Sequence, residues 1–193
     1  MNLMMFPRML VSRREGWDWL TRFHPSVAKV YLAYVIPMSL IPPAMLMYAW
    51  RNYGDELPLL DIGPNQAMTL AAIFFAAELL MVPIMGFVLQ KIGSVANAEP
   101  PYHAAFAFAA VVPTPLWLAP LALAVPSLAF NLTVTLLALA GSAALIYQGV
   151  DRTYRLPDEG HSLLVAGSVL AAGLVAWVTM IVAAFVAWGA VLS

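Results

Sequence analysis

Glu78 is the residue whose type and setting carry the most chemistry. It sits within the apolar run Ala67 to Gln90, which has no other charged residue. A carboxyl near the centre of a bilayer costs about 3 kcal/mol on insertion scales, so such groups mark function or a specific structural partner. Glu78 is about the twelfth residue of a run of about 24, roughly 18 Å from either end at a helical rise. Counting neighbouring apolar runs to the same depth brings up Ser39, Pro113, Thr114 and Thr179. A proline inside a helix frees a carbonyl about four residues earlier. In lipid that carbonyl needs a partner inside the protein. Interrupted helices around a midplane acid are one way to build a substrate or ion site. Three roles stay open for Glu78. It could be a protonated peg between helices, a proton- or ion-coupling group, or a contact between copies.

A second polar group gathers between apolar runs. His103 and His161, with Glu99 or Asp151, could hold a divalent metal. No two of these residues share a recognised metal-ligand spacing, so an ordinary solvated loop is the competing reading. The sequence has no HExxH, no phosphate loop and no nucleophile elbow. A non-enzymatic protein without a cofactor is expected.

The elements that position these residues follow from composition. The chain has 193 residues, of which 63% are hydrophobic and 10% charged. Soluble domains are about 45–50% apolar and about 25% charged, so this is an integral membrane protein. The net charge of -1 argues against a nucleic-acid partner. With no cysteine, disulfides and thiolate metal sites are excluded.

A spanning helix needs about 20 apolar residues. Five such runs are present: 27–50, 67–90, 103–119, 121–148 and 162–192, the fourth starting at Leu121 or Ser127. Pro113, Pro115, Pro120 and Pro126 punctuate the uncharged stretch from His103 to Tyr147. They predict a broken third helix and a tight turn before the fourth. The expected fold is all-α, a five-transmembrane-helix bundle with Pro-kinked helices spanning 27–192. Residues 1–26 mix Arg13, Arg14, Trp17, Trp19 and Phe23, the composition of an interfacial amphipathic segment.

Basic residues orient the bundle. With the N-terminus inside, Arg8, Arg13, Arg14, Arg22, Lys29, Lys91, Arg152 and Arg155 lie inside and only Arg51 lies outside. A bacterial inner membrane with a cytoplasmic N-terminus and a periplasmic C-terminus is expected. Small residues at helical spacing, among them Gly141 and Ala144, and Gly167 and Ala171, favour close helix packing in lipid.

Three short motifs add a resemblance. Asp61-Ile62-Gly63-Pro64 precedes a helix, Tyr102 is followed by Pro113, and Tyr147, Gly149 and Tyr154 close the fourth run. Together with the five-span layout, they make the chain resemble the Yip family of Ypt/Rab-interacting membrane proteins over roughly residues 25–190. The resemblance implies five spans, an inside N-terminus and a short outside C-terminus. The leading expectation for function is a non-enzymatic membrane-organising or partner-binding role. Partners would be the bilayer, other membrane proteins or a second copy. The alternative is a small ion-coupled transporter built on Glu78. Independently of any family, Gly63 permits a turn, Pro64 suits a first helical turn, and Asp61 could cap freed amides.

Overall fold

The computed structural model describes residues 26–53, 62–98, 100–154, 156 and 158–192. The segment 1–25 and Asp61 therefore lie outside the described residues, as does Glu99. Five helices are long and apolar enough to cross a membrane. They are α1 (Val27–Tyr53), α2 (Pro64–Val95), α3 (Tyr102–Ala124), α4 (Leu128–Tyr154) and α5 (Glu159–Leu192). No strand occurs among the described residues. The architecture is an all-α membrane bundle.

Hydrogen bonds between helix ends fix an up-and-down course. The Tyr53 hydroxyl at the end of α1 donates to the Ala124 carbonyl at the end of α3. The Gln66 amide at the start of α2 donates to the Val191 carbonyl near the end of α5. These ends share one face of the bundle. At the opposite face the Ser162 hydroxyl of α5 donates to Asp151 of α4.

Prolines decide where the helices break. α1 holds a π-helical turn over Tyr31–Val35 and interrupts again at Leu40. Pro37 follows the first irregularity, and Pro42 and Pro43 follow the second. A proline ring crowds the carbonyl four residues before it and leaves it without its helical donor. α3 breaks at Val112–Pro113, resumes over Thr114–Leu118 and finishes as a 3₁₀ turn over Ala119–Ala124. Leu121 therefore belongs to the end of α3. The fourth helix begins at Leu128, not Leu121, because Pro120 and Pro126 tighten the chain before it.

α2 starts three residues earlier than the apolar run suggests. Pro64 occupies its first turn, and Gln66 Oε1 accepts from the Gly63 amide at 2.9 Å. Its far end reaches Val95, beyond Gln90, because Lys91 and Ser94 are exposed and extend the helix past its apolar stretch.

α3 is the centre of the bundle. Phe106, Phe108, Ala110 and Val111 are sealed in a core shared with Val30 and Val35 of α1, Leu89 of α2 and Val150 of α4. Two glycines in α2 permit this density. A Cβ on Gly86 would lie 3.1 Å from Phe106 Cα. A Cβ on Gly93 would lie 2.5 Å from Pro100 Cδ and 2.7 Å from Tyr154 Cε1. α5 is the contrast. Half of the most apolar stretch of α3 is buried inside the protein, but only 6% of that of α5.

Candidate functional site: a midplane cavity around Glu78

α2, α3, α4 and α5 enclose a partly open cavity of about 600 Å³, and Glu78, Pro113, Trp117 and Ser142 are among the residues that line it. Pockets of about 300–1,000 Å³ commonly hold small ligands. Glu78 lies near the middle of α2, roughly 20–25 Å along the helix from either end. It is only 8% exposed. Trp117 shares the cavity wall with it, and Glu78 Oε2 has no hydrogen-bond partner among the described residues.

Ser142 on α4 is the second buried polar group on the cavity wall. It is 6% exposed, and its Oγ also lacks a partner among the described residues. The other polar side chains of α4 on the cavity wall, Asn131 and Thr135, are already engaged. Asn131 donates to the Val125 and Ser127 carbonyls, and Thr135 donates to the Asn131 carbonyl. The rest of the wall is apolar, and among the described residues no other charged side chain lines it. The cavity thus has an oily interior with two unsatisfied polar points.

The proline breaks beside the cavity are repaired by hydroxyls. Pro115 has no N–H for the Val111 carbonyl. The Thr114 hydroxyl takes that place, lying 2.5 Å from Val111 O. Thr114 has then used its only proton. The Tyr34 hydroxyl, 2.5 Å away, is therefore the donor in the Tyr34–Thr114 hydrogen bond. The same device recurs in α2. Pro83 strips the Leu79 carbonyl of its helical donor, and the Tyr31 hydroxyl supplies one at 3.0 Å. Both tyrosines come from the irregular part of α1, one turn apart. Unpaired backbone groups in lipid cost several kcal/mol each, so these bonds hold the breaks in place.

The residues grouped by depth separate in space. Pro113 lines the cavity with Glu78. Thr114 is buried beside it but is spent on Val111 and Tyr34. Ser39 is fully buried and its Oγ lacks a partner among the described residues. It does not line the cavity, although Pro42 one turn later does. Thr179 is not brought to Glu78. It is exposed on α5 and donates to the Val175 carbonyl of its own helix. Depth counting fixes height in the membrane but not rotation about the helix axis.

Around the loops that follow α2 and α4, no three His, Asp or Glu side chains converge among the described residues. His161 is held by Asp158, whose Oδ1 accepts from the His161 amide and whose Oδ2 lies 2.8 Å from Nδ1. The first of these bonds, with the second beside it, holds the Asp158 carboxyl below its ordinary pKa. This is the N-cap of α5. His103 sits in the first turn of α3, half-buried.

The motif residues have structural duties. Gly63 and Pro64 open α2, with Gln66 reaching back to the Gly63 amide. The Tyr102 hydroxyl donates to the Pro83 carbonyl at 3.3 Å, across the α2–α3 contact. Tyr147 is exposed on α4. Tyr154 is buried, and its hydroxyl donates to the Leu89 carbonyl at 2.9 Å. It occupies the space that Gly93 leaves open.

Comparison with protein families matches a Yip1 domain over residues 8–180. Comparison with curated proteins and with solved structures gives no match.

Proposed function

The chain belongs to the Yip1 domain family, and from that premise we propose that this integral membrane protein is a partner-binding module acting through helix contacts within the bilayer. The observation that carries this reading is the exposure of α5. Over 34 residues it contributes little of its surface to the bundle. Leu164, Ser168, Ala171, Val175, Val178, Val182, Phe185 and Gly189 are all exposed. Their spacing alternates four and three residues, the repeat of a helix seam that packs against another helix. A Cβ added to Gly167, beside this seam, would meet nothing within 4 Å. Small residues there let a second backbone approach closely in lipid.

The same reading gives Glu78 a role internal to the module. Among the described residues the cavity wall supplies no second charge to it, and this favours partner binding over ion coupling. The basic residues favour an inside N-terminus.

A pair of substitutions tests the proposal. Val175→Trp with Val182→Trp adds bulk to the seam without touching the core. In native-lipid particles, the wild-type chain is expected to run with a partner or a second copy, and the double variant as a lone chain. Equal masses for both would contradict the reading.

A further inference from the structure

We propose that the Glu78 cavity is a binding site for an uncharged membrane lipid that carries one free hydroxyl and a hydrocarbon tail. This inference stands on the cavity and does not rest on the partner-binding reading of α5.

The chemistry of the wall selects the ligand. Glu78 Oε2 and Ser142 Oγ are both more than nine-tenths buried, line the same cavity and have no partner among the described residues. Buried polar groups are normally hydrogen-bonded. In lipid the cost of leaving them unmade is higher than in water. A hydroxyl is the small group that can answer either, since it donates one hydrogen bond and accepts others. It would donate to Glu78 Oε2 or accept from the Ser142 hydroxyl. Trp117 lines the same cavity.

The rest of the wall selects the tail. Met81, Met85, Leu116, Leu139 and Ile146 present hydrocarbon and thioether surface. Methionine side chains adapt to irregular, flexible ligands. A phospholipid headgroup does not suit this position, because it would bring its charged phosphate to the bilayer centre. A diacylglycerol, a long-chain alcohol or a comparable neutral lipid does suit it.

The test uses the full chain in nanodiscs and two photoreactive probes. One is a hexadecanol bearing a diazirine in its tail, and the other is its methyl ether. The alcohol is expected to label peptides containing Met81, Met85 or Leu116. Unlabelled dioleoylglycerol should compete, and dioleoylphosphatidylcholine should not. Glu78→Leu is expected to reduce labelling about fivefold, the loss that one hydrogen bond carries. Because Glu78→Leu also alters the wall beside Trp117, two further variants keep the test decisive. Ser142→Ala should lower labelling by a smaller factor with the fold intact. Ala143→Phe should block it by filling the cavity, with unchanged elution and helicity. Thr179→Val, on the outer face of α5, should have no effect. Equal labelling by the alcohol and its ether would overturn the proposal, since the cavity would then hold any hydrocarbon. Labelling that is insensitive to all three cavity variants would also overturn it. So would crosslinks from the cavity to a second copy or to residues 1–25 in place of lipid.

Discussion

The Tyr31 hydroxyl on α1 lies 3.0 Å from the Leu79 carbonyl oxygen on α2, the acceptor that Pro83 deprives of its helical donor. The pair turns a defect in one helix into a tie to another. Tyr34 and Thr114 repeat the arrangement at the α3 break, where the freed acceptor is Val111. The irregular first helix thus donates directly to the carbonyl that Pro83 frees in α2 and steadies the Thr114 hydroxyl that caps Val111 within α3.

A double-mutant cycle follows from this tie. Tyr31→Phe is expected to destabilise the bundle by about 1 kcal/mol, the usual size of an interhelical hydrogen bond in membranes. In a Pro83→Ala background the Leu79 carbonyl regains a donor from its own helix. The same Tyr31→Phe change should then have almost no effect. Unfolding titrations in mixed micelles measure both values. Equal losses in the two backgrounds would show that the Tyr31 hydroxyl does not act through the carbonyl that Pro83 frees.

Gly93 and Gly167 should respond oppositely to the same substitution. A Cβ at Gly93 meets Pro100, the Ala98 carbonyl and Tyr154 at 2.5–2.7 Å. Gly93→Ala is expected to cost about 1–3 kcal/mol through overpacking, and to loosen the Tyr154–Leu89 hydrogen bond. Gly167 has open space, and alanine there should be neutral or slightly stabilising because it is the better helix former. Comparing the two melting temperatures checks this. Similar losses at both would contradict the packing described for α2 and α4.

The Asp158 cap sets a pH dependence for the start of α5. Asp158 is held below its ordinary pKa by the His161 amide first and by the His161 ring second. A carboxyl lowered in the folded state stabilises it at pH values above the ordinary aspartate pKa. That stabilisation is lost as pH falls through the lowered value. Amide exchange at His161 and Ser162 should therefore stay slow through neutral and mildly acid pH and quicken only below the usual carboxylate range. In Asp158→Ala it should be fast throughout. Equal exchange in the wild type and in Asp158→Ala would remove Asp158 from the cap.

Orientation can be read by chemical labelling, because the chain contains no cysteine. With the N-terminus inside, Ser127→Cys in the α3–α4 turn should react with an impermeant maleimide on intact cells. Ser94→Cys, exposed near the end of α2, should react only after permeabilisation. The reverse pattern would invert the assignment drawn from the basic residues.

Much of the fold was legible because lipid makes length and apolarity decisive. The runs around Val27, Ala67, His103 and Ser162 each become a spanning helix. The prolines at 113, 115 and 120 announce the broken third helix. Rotation was not legible. Thr179 shares the depth of Glu78 but faces outward, since counting along a helix does not tell which side meets the bundle. Ser142 gives no signal of its own because it sits among Gly141, Ala143 and Ala144, a stretch that reads as close packing. Tyr31 and Tyr34 give no functional signal of their own in the sequence. The need for the Tyr31 bond could have been inferred from Pro83, which leaves the Leu79 carbonyl without its helical donor.

The partner-binding account turns on the outward face of α5. Single photo-crosslinking residues placed at each position from Leu164 to Gly189, in membranes of the native host, test it most directly. The account predicts adducts to one defined protein or to a second copy at Ala171, Val175, Val178, Val182 and Phe185. It predicts none at the buried positions Val165, Ala166 and Val169. Adducts to lipid alone, spread evenly around the exposed surface with no three-and-four spacing, would contradict it.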